Sequence, residues 1–297
     1  MKALLLAAAI AALAAGCAPA RHGPGLQVVA AESFWGSIAA QLGGAHATVE
    51  SIIESPAIDP HSYEPTASDA RKLAGADVAV VNGIGYDRWA SQLLAANPSS
   101  SRVVVDAGKV LGLGDGANPH QWYSPTSVRR LVGAIAAAYE QADPKHAAYF
   151  AARENTFLTH ALARYDALQG RIRARYAGTP VGYSESIFEP LGLDLGLDLV
   201  TSPGFAKSVA EGTEVSVADR TAVARQITGR RIAVWVFNSQ NVTPEVGQLT
   251  ALARRSGIPV VTVTETLSPE GATFQAWQSR QLARLAAALS RVRATQG

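Results

Sequence analysis

The chain contains six histidines, His22, His46, His61, His120, His146 and His160. Two of them stand in closely similar frames. One reads Asp59-Pro60-His61-Ser62-Tyr63-Glu64-Pro65 and the other Asn118-Pro119-His120-Gln121-Trp122-Tyr123-Ser124-Pro125. Each is a Pro-His step after a strand and loop and before a helix. Proline restrains the backbone just ahead of the imidazole. Neutral imidazole is the commonest side-chain ligand of transition metals, so the chemistry open to such a pair is metal coordination. On spacing alone, two turn histidines with no joint role fit equally well.

The elements around these steps decide where they can sit. Leu26–Ala30, Ala47–Ile53, Val78–Val81 and Val103–Val105 read as strands. Helices are expected from Ser33 to Leu42, Ser68 to Gly75 and Tyr86 to Ala96. Another runs from Ser124-Pro125 to Gln141, with serine as N-cap and proline at the first helical position. From Asp143-Pro144 to Tyr176 the pattern stays helical, which predicts one rod of roughly 45 Å. A second set of α/β units follows. Its strands are Pro180–Tyr183, Leu197–Thr201, Ile232–Phe237 and Pro259–Val263, and its helices lie near Ala218–Thr228, Pro244–Ser256 and Thr273–Val292. Alternating strands and helices predict parallel sheets covered by helices. In such sheets ligands gather at the carboxyl ends of strands, and both Pro-His steps occupy loops of that kind.

Composition bounds the partners. The 297 residues are 48% hydrophobic and 17% charged, as in a globular protein. The formal net charge is +2, and no basic stripe indicates a nucleic-acid partner. At the N-terminus, Met1-Lys2 precedes a short apolar run that ends in Leu13-Ala14-Ala15-Gly16-Cys17. This resembles the lipobox of bacterial lipoproteins. It implies a signal peptide over residues 1–16, lipidation at Cys17 and a Pro/Gly-rich tether over residues 17–25. Cys17 is the only cysteine, so no intramolecular disulfide forms. The expected location is the periplasm or the outer face of the cell membrane, with the lipid as anchor.

The first Pro-His motif, Asn118-Pro119-His120 and the long helix together resemble the zinc/manganese-binding receptors of bacterial ABC importers, a family that includes adhesin-like lipoproteins. The resemblance implies an α/β fold of two Rossmann-like lobes joined by one long rigid helix, with metal held between them. The lobes would cover residues 26–142 and 178–297, and the helix residues 143–177. It also implies two further ligands. Glu185, in Tyr183-Ser184-Glu185-Ser186, matches the ligand position early in the second lobe. Glu265, in Thr264-Glu265-Thr266, takes the acidic position after the last strand, where many relatives carry aspartate. The implied ligand set is His61, His120, Glu185 and Glu265. Glu189 and Asp59 are the nearest competitors, and Asp59 alternatively orients His61 by accepting the second imidazole N–H.

Two imidazoles and two carboxylates neutralise a dication and offer no thiolate, which disfavours copper(I). The expected cargo is one divalent transition-metal ion, Mn2+ or Zn2+, with Fe2+ also accommodated. The expected partners are an importer permease with its ATPase, and the protein itself is expected to be a monomer and not an enzyme. Gly182-Tyr183-Ser184-Glu185-Ser186 resembles a nucleophile elbow, but no histidine follows Ser184 to serve as base. A metal-dependent hydrolase would need an open water position at the same site. An adhesin of the same fold is the remaining alternative.

Overall fold

The computed structural model describes residues 25–55, 57, 58 and 63–296. The signal peptide, Cys17 and nearly all of the tether lie outside the described residues, as do Asp59 and His61. The first half alternates β1 (Leu26–Glu32), α1 (Ser33–Gly43), β2 (Ala47–Ile53), α2 (Ala67–Gly75), β3 (Val78–Val81), α3 (Arg88–Ala96), β4 (Val103–Asp106), α4 (Ala107–Leu111) and α5 (Pro125–Ala142). β3 is buried throughout, and β1 is buried at all but one position. That is why both read as continuous apolar runs instead of alternating ones. The sheet is parallel, in the order β2-β1-β3-β4. Its order therefore reverses between β1 and β3.

Local chemistry sets the helix starts. Thr66 and Asp69 form a reciprocal capping box at α2. Ser124 caps α5, with Pro125 in its first turn. α3 begins at Arg88, two residues later than expected. The delay has a backbone cause: Gly83, Ile84 and Gly85 all adopt positive φ, at 66°, 57° and 78°.

The uninterrupted rod expected from Asp143 to Tyr176 is corrected. A 3-10 turn at Pro144–His146 leads into α6 (Ala147–Thr156), then a π-turn at Phe157–Ala161, then α7 (Ala163–Tyr176). The Leu162 N–H reaches back to the Phe157 carbonyl at 3.0 Å. The wide turn keeps both Phe157 and Leu162, five positions apart, in the core.

The second half runs β5 (Pro180–Tyr183), α8 (Glu189–Asp194), β6 (Asp198–Leu199), α9 (Pro203–Ala210), α10 (Val217–Thr228), β7 (Val234–Asn238), α11 (Pro244–Arg255), β8 (Val260–Val263) and α12 (Phe274–Gln296). α8 and α9 were not legible as helices. β6 has only two residues where Leu197–Thr201 was expected. This sheet is also parallel, in the order β6-β5-β7-β8, and reverses between β5 and β7.

The largest apolar cluster among the described residues spans both halves, while a smaller one lies within each. The largest runs from Val28 and Phe34 through Trp122 and Tyr139 to Val236, Trp277 and Leu285. Phe34 stacks on Trp122 at 3.9 Å. The Tyr123 hydroxyl, from the first half, lies 2.9 Å from the Thr264 carbonyl and 3.0 Å from Gln281 Oε1, sharing its one hydrogen between these two acceptors of the second half. The lobes are thus packed directly on each other as well as joined through α6 and α7.

Candidate metal centre

His120 lies in the loop between α4 and α5, just before a 3-10 turn at Gln121–Tyr123. Asn118 sets its orientation. The Asn118 carboxamide oxygen accepts the His120 backbone N–H at 3.0 Å and faces Nδ1 at 2.9 Å. The Asn118 amide nitrogen donates to the Ser186 carbonyl at 2.7 Å and to Glu189 Oε2 at 3.1 Å. With both amide hydrogens used, the oxygen must be the acceptor, so Nδ1 carries the imidazole proton. That makes Nε2 the unprotonated ring nitrogen, and it faces two carboxylates. Glu185 Oε1 lies 3.8 Å away and Glu265 Oε2 3.7 Å away.

Glu185 stands in extended backbone directly after β5. Glu265 sits in the loop after β8. The Trp277 indole N–H donates to Thr264 Oγ1 at 2.8 Å, and the Thr266 N–H donates to Gln240 Oε1 at 3.0 Å. Between the acids lies Asn238, the last residue of β7. Its amide nitrogen donates to Glu185 Oε2 at 2.7 Å and to Glu265 Oε1 at 3.0 Å. The Tyr86 hydroxyl donates to the other Glu265 oxygen at 2.9 Å. Burial first, then the charge of Glu265, pushes the Tyr86 phenol well above its ordinary pKa, so it stays a donor. His120, Glu185, Asn238 and Glu265 are all buried.

One ligand atom from each of His120, Glu185 and Glu265 lies within 4.8 Å of the others. Atoms that bind a common ion at about 2.0–2.2 Å stand about 3–4.5 Å apart. The triad therefore needs little movement to close on an ion. Two carboxylates held together out of water repel unless a cation sits between them. The centre opens on a cleft of about 810 Å³ bordered by Ile84, Gly85, Asn118, Ser186 and Gln240.

Of the four residues implied as ligands, the structure brings together His120, Glu185 and Glu265; His61 and its neighbour Asp59 are outside the described residues. Glu189, the competitor, is engaged elsewhere: it accepts from Tyr183 at 3.1 Å and from Asn118. Ser184 is buried, and its hydroxyl accepts the Asn238 backbone N–H at 3.0 Å. Tyr86 and Asn238 were missed, and Asn118 was read only as part of a motif. Asn118 stands two residues before a singled-out histidine, which was the one local signal available.

Comparison with known proteins bears on the family and the fold. Residues 28–288 match the ZnuA family, described as zinc-uptake complex component A, periplasmic. The chain belongs to this family. It is 32% identical over 158 residues to the manganese-binding lipoprotein MntA of Halalkalibacterium halodurans, covering 50% of this chain and 52% of that protein. The chain thus spans about half the length of that relative. It is 25% identical to the iron-binding protein YfeA of Yersinia pestis, over 79% of this chain and 68% of that one. The fold matches a cadmium-bound periplasmic metal-binding protein from Candidatus Liberibacter asiaticus with a TM-score of 0.72 at 19% identity, covering 88% of this chain and 98% of that one. It also matches a mutant of the laminin-binding adhesin of Streptococcus agalactiae with a TM-score of 0.73 at 20% identity, over 89% and 100% of the chains. The family consists of metal-binding receptors and not of enzymes. Among the described residues no helix is long and apolar enough to cross a membrane.

Proposed function

We propose that this protein is the extracytoplasmic receptor of an ABC importer. It captures one divalent transition-metal ion, manganese or zinc, between its lobes and delivers it to a membrane permease. The observation that supports this most is the buried convergence of His120, Glu185 and Glu265 from both halves of the chain, within 4.8 Å of one another. His61 is the fourth ligand of this reading, and Asp59 its orienting partner. Lipidation at Cys17 tethers the protein outside the cytoplasm, where it acts as a single chain beside the permease and its ATPase. The boundaries of the reading are an N-terminal lobe over residues 26–142, a connecting helical segment over 143–177 and a C-terminal lobe from 178. Nitrogen and carboxylate donors without thiolate accept manganese, iron(II) and zinc, and zinc binds most tightly of these in vitro.

The test is metal analysis of untagged protein, followed by melting with manganese, zinc or iron(II). At a hundredfold excess over Kd, a metal that binds only the native state stabilises it by about 2.7 kcal/mol. His120→Ala and His61→Ala should each remove the shift, and Glu265→Ala should reduce it. The shift should also shrink at acid pH, since the ligands must be deprotonated to bind. An unchanged shift in His120→Ala would reject the assignment.

A further inference from the structure

Glu32 ends β1 and is fully buried. It sits where the order of the first sheet reverses, at the carboxyl end of a central strand, yet the ligand set gives it no role. Its carboxyl faces that of Asp87, which is also fully buried. Among the described residues no N–H or hydroxyl donor reaches either Glu32 oxygen. Asp87, by contrast, accepts the Asn82 N–H on Oδ2 and the Gly83 N–H on Oδ1, each at 2.7 Å. The loop so closed is the left-handed run Gly83, Ile84, Gly85. An isoleucine at positive φ persists only where its surroundings over-determine it.

Both ends of that loop touch the metal centre. At one end the Asn82 amide donates to the Pro119 carbonyl at 3.0 Å, directly ahead of His120, while its oxygen accepts from the Trp35 indole at 3.0 Å. At the other end Tyr86 donates to Glu265 at 2.9 Å.

We propose that Glu32 is a positioning residue for the metal centre: through Asp87 it clamps the loop from Asn82 to Asp87, and so sets both the Tyr86 hydroxyl and the Pro119-His120 step. The inference rests on the ligand reading proposed above. Two carboxyls in contact and out of water cannot both be ionised, so one proton stays on the pair. Burial first, then the charge of Asp87, pushes Glu32 well above the carboxylate range. Burial pushes Asp87 up to about 6, against the backbone N–H bonds that favour its charge. At neutral pH Glu32 therefore keeps the proton and donates its O–H to the Asp87 carboxylate. The titratable groups facing the pair are each other and Tyr86.

The experiment compares full-length Glu32→Gln, Glu32→Ala and His120→Ala with the native protein. Zinc and manganese affinities are measured by calorimetry, and metal-free stability by denaturant from pH 5 to 8. Glutamine keeps a donor to Asp87, so Glu32→Gln should bind both metals with near-native affinity. Glu32→Ala should lose about 10–100-fold, as typical for a group that orients ligands. The folded pKa values are raised, so the pair's contribution to native stability falls as pH rises from the free-carboxylate range near 4, through about 6 for Asp87 and on through neutrality for Glu32, which keeps its proton there. Glu32→Gln should flatten that fall. The proposal is overturned if Glu32→Gln weakens binding as much as Glu32→Ala, if Glu32→Ala binds like the native protein, or if Glu32→Gln leaves the pH profile unchanged. Should Glu32→Ala not fold, the Glu32→Gln affinity and profile still decide. His120→Ala separates the two readings. Retained binding there removes the ligand assignment, while the metal-free pH profile still judges the clamp.

Discussion

Asn238 shows how much a single amide can organise. Its two N–H hydrogens serve two carboxylates from different loops, and its backbone N–H is fixed by Ser184. Without it the two acids would repel with nothing to hold their inner oxygens. Asn238→Ala should therefore weaken metal affinity by about 10–100-fold without abolishing it, as read by calorimetric titration. Full loss would mark Asn238 as a ligand instead of an orienting group. None of this was legible in Val-Phe-Asn-Ser-Gln, because an asparagine at a strand end is ordinary turn chemistry. The Pro-His step made His120 a candidate, but on spacing alone two unrelated turn histidines fitted equally well. Glu185 and Glu265 became legible only through the family resemblance.

At the level of elements, the capping box of α2 anchors the chain just after His61. Asp69 accepts from the Thr66 N–H at 2.8 Å, the Thr66 hydroxyl at 2.7 Å and the Tyr63 hydroxyl at 2.8 Å. Burial alone would raise its pKa, but these three bonds outweigh burial and hold it below the ordinary value. The stabilisation is therefore complete above the free aspartate range near pH 4 and fades as pH falls through the lowered folded pKa. Asp69→Asn should cost about 1 kcal/mol at pH 7. In denaturant titrations the difference should vanish at low pH; a difference that grows as pH falls would contradict the capping role. Tyr63 follows the Pro-His step by two residues, so with the ligand role proposed for His61 the same variant should also weaken metal binding. The helix was expected from Ser68 without its cap, although Thr66-Ala67-Ser68-Asp69 has the spacing of a capping box. The left-handed loop before α3 was not legible, because Gly83 and Gly85 announce a turn but nothing local forces Ile84 to follow them.

For the whole molecule, the continuous core argues against a wide hinge. Each half has an apolar cluster of its own, but the largest one crosses between them. Here Phe34, Trp122, Tyr123 and Trp277 belong to one buried cluster that contains residues of both sheets. Opening the lobes would expose these aromatics at about 25 cal/mol per Å² of apolar surface. Calorimetry of the metal-free protein should give one cooperative transition, with calorimetric and van't Hoff enthalpies equal. Small-angle scattering should show no resolvable change in radius of gyration when zinc is added. Two transitions, or a marked compaction, would show that the lobes behave as independent bodies.

The amino-acid sequence by itself determined the alternation of strands and helices, the parallel sheets and the two Pro-His steps. These are set by residues close in the chain, through apolar periodicity, caps and proline geometry. The tertiary structure alone decided which distant side chains meet. Asn238, Tyr86 and the Glu32–Asp87 pair acquire their roles because two sheets end their strands toward one buried point. There the low dielectric makes every nearby charge and hydrogen bond count. No local spacing records that convergence, since the residues it joins lie up to 233 positions apart, from Glu32 to Glu265.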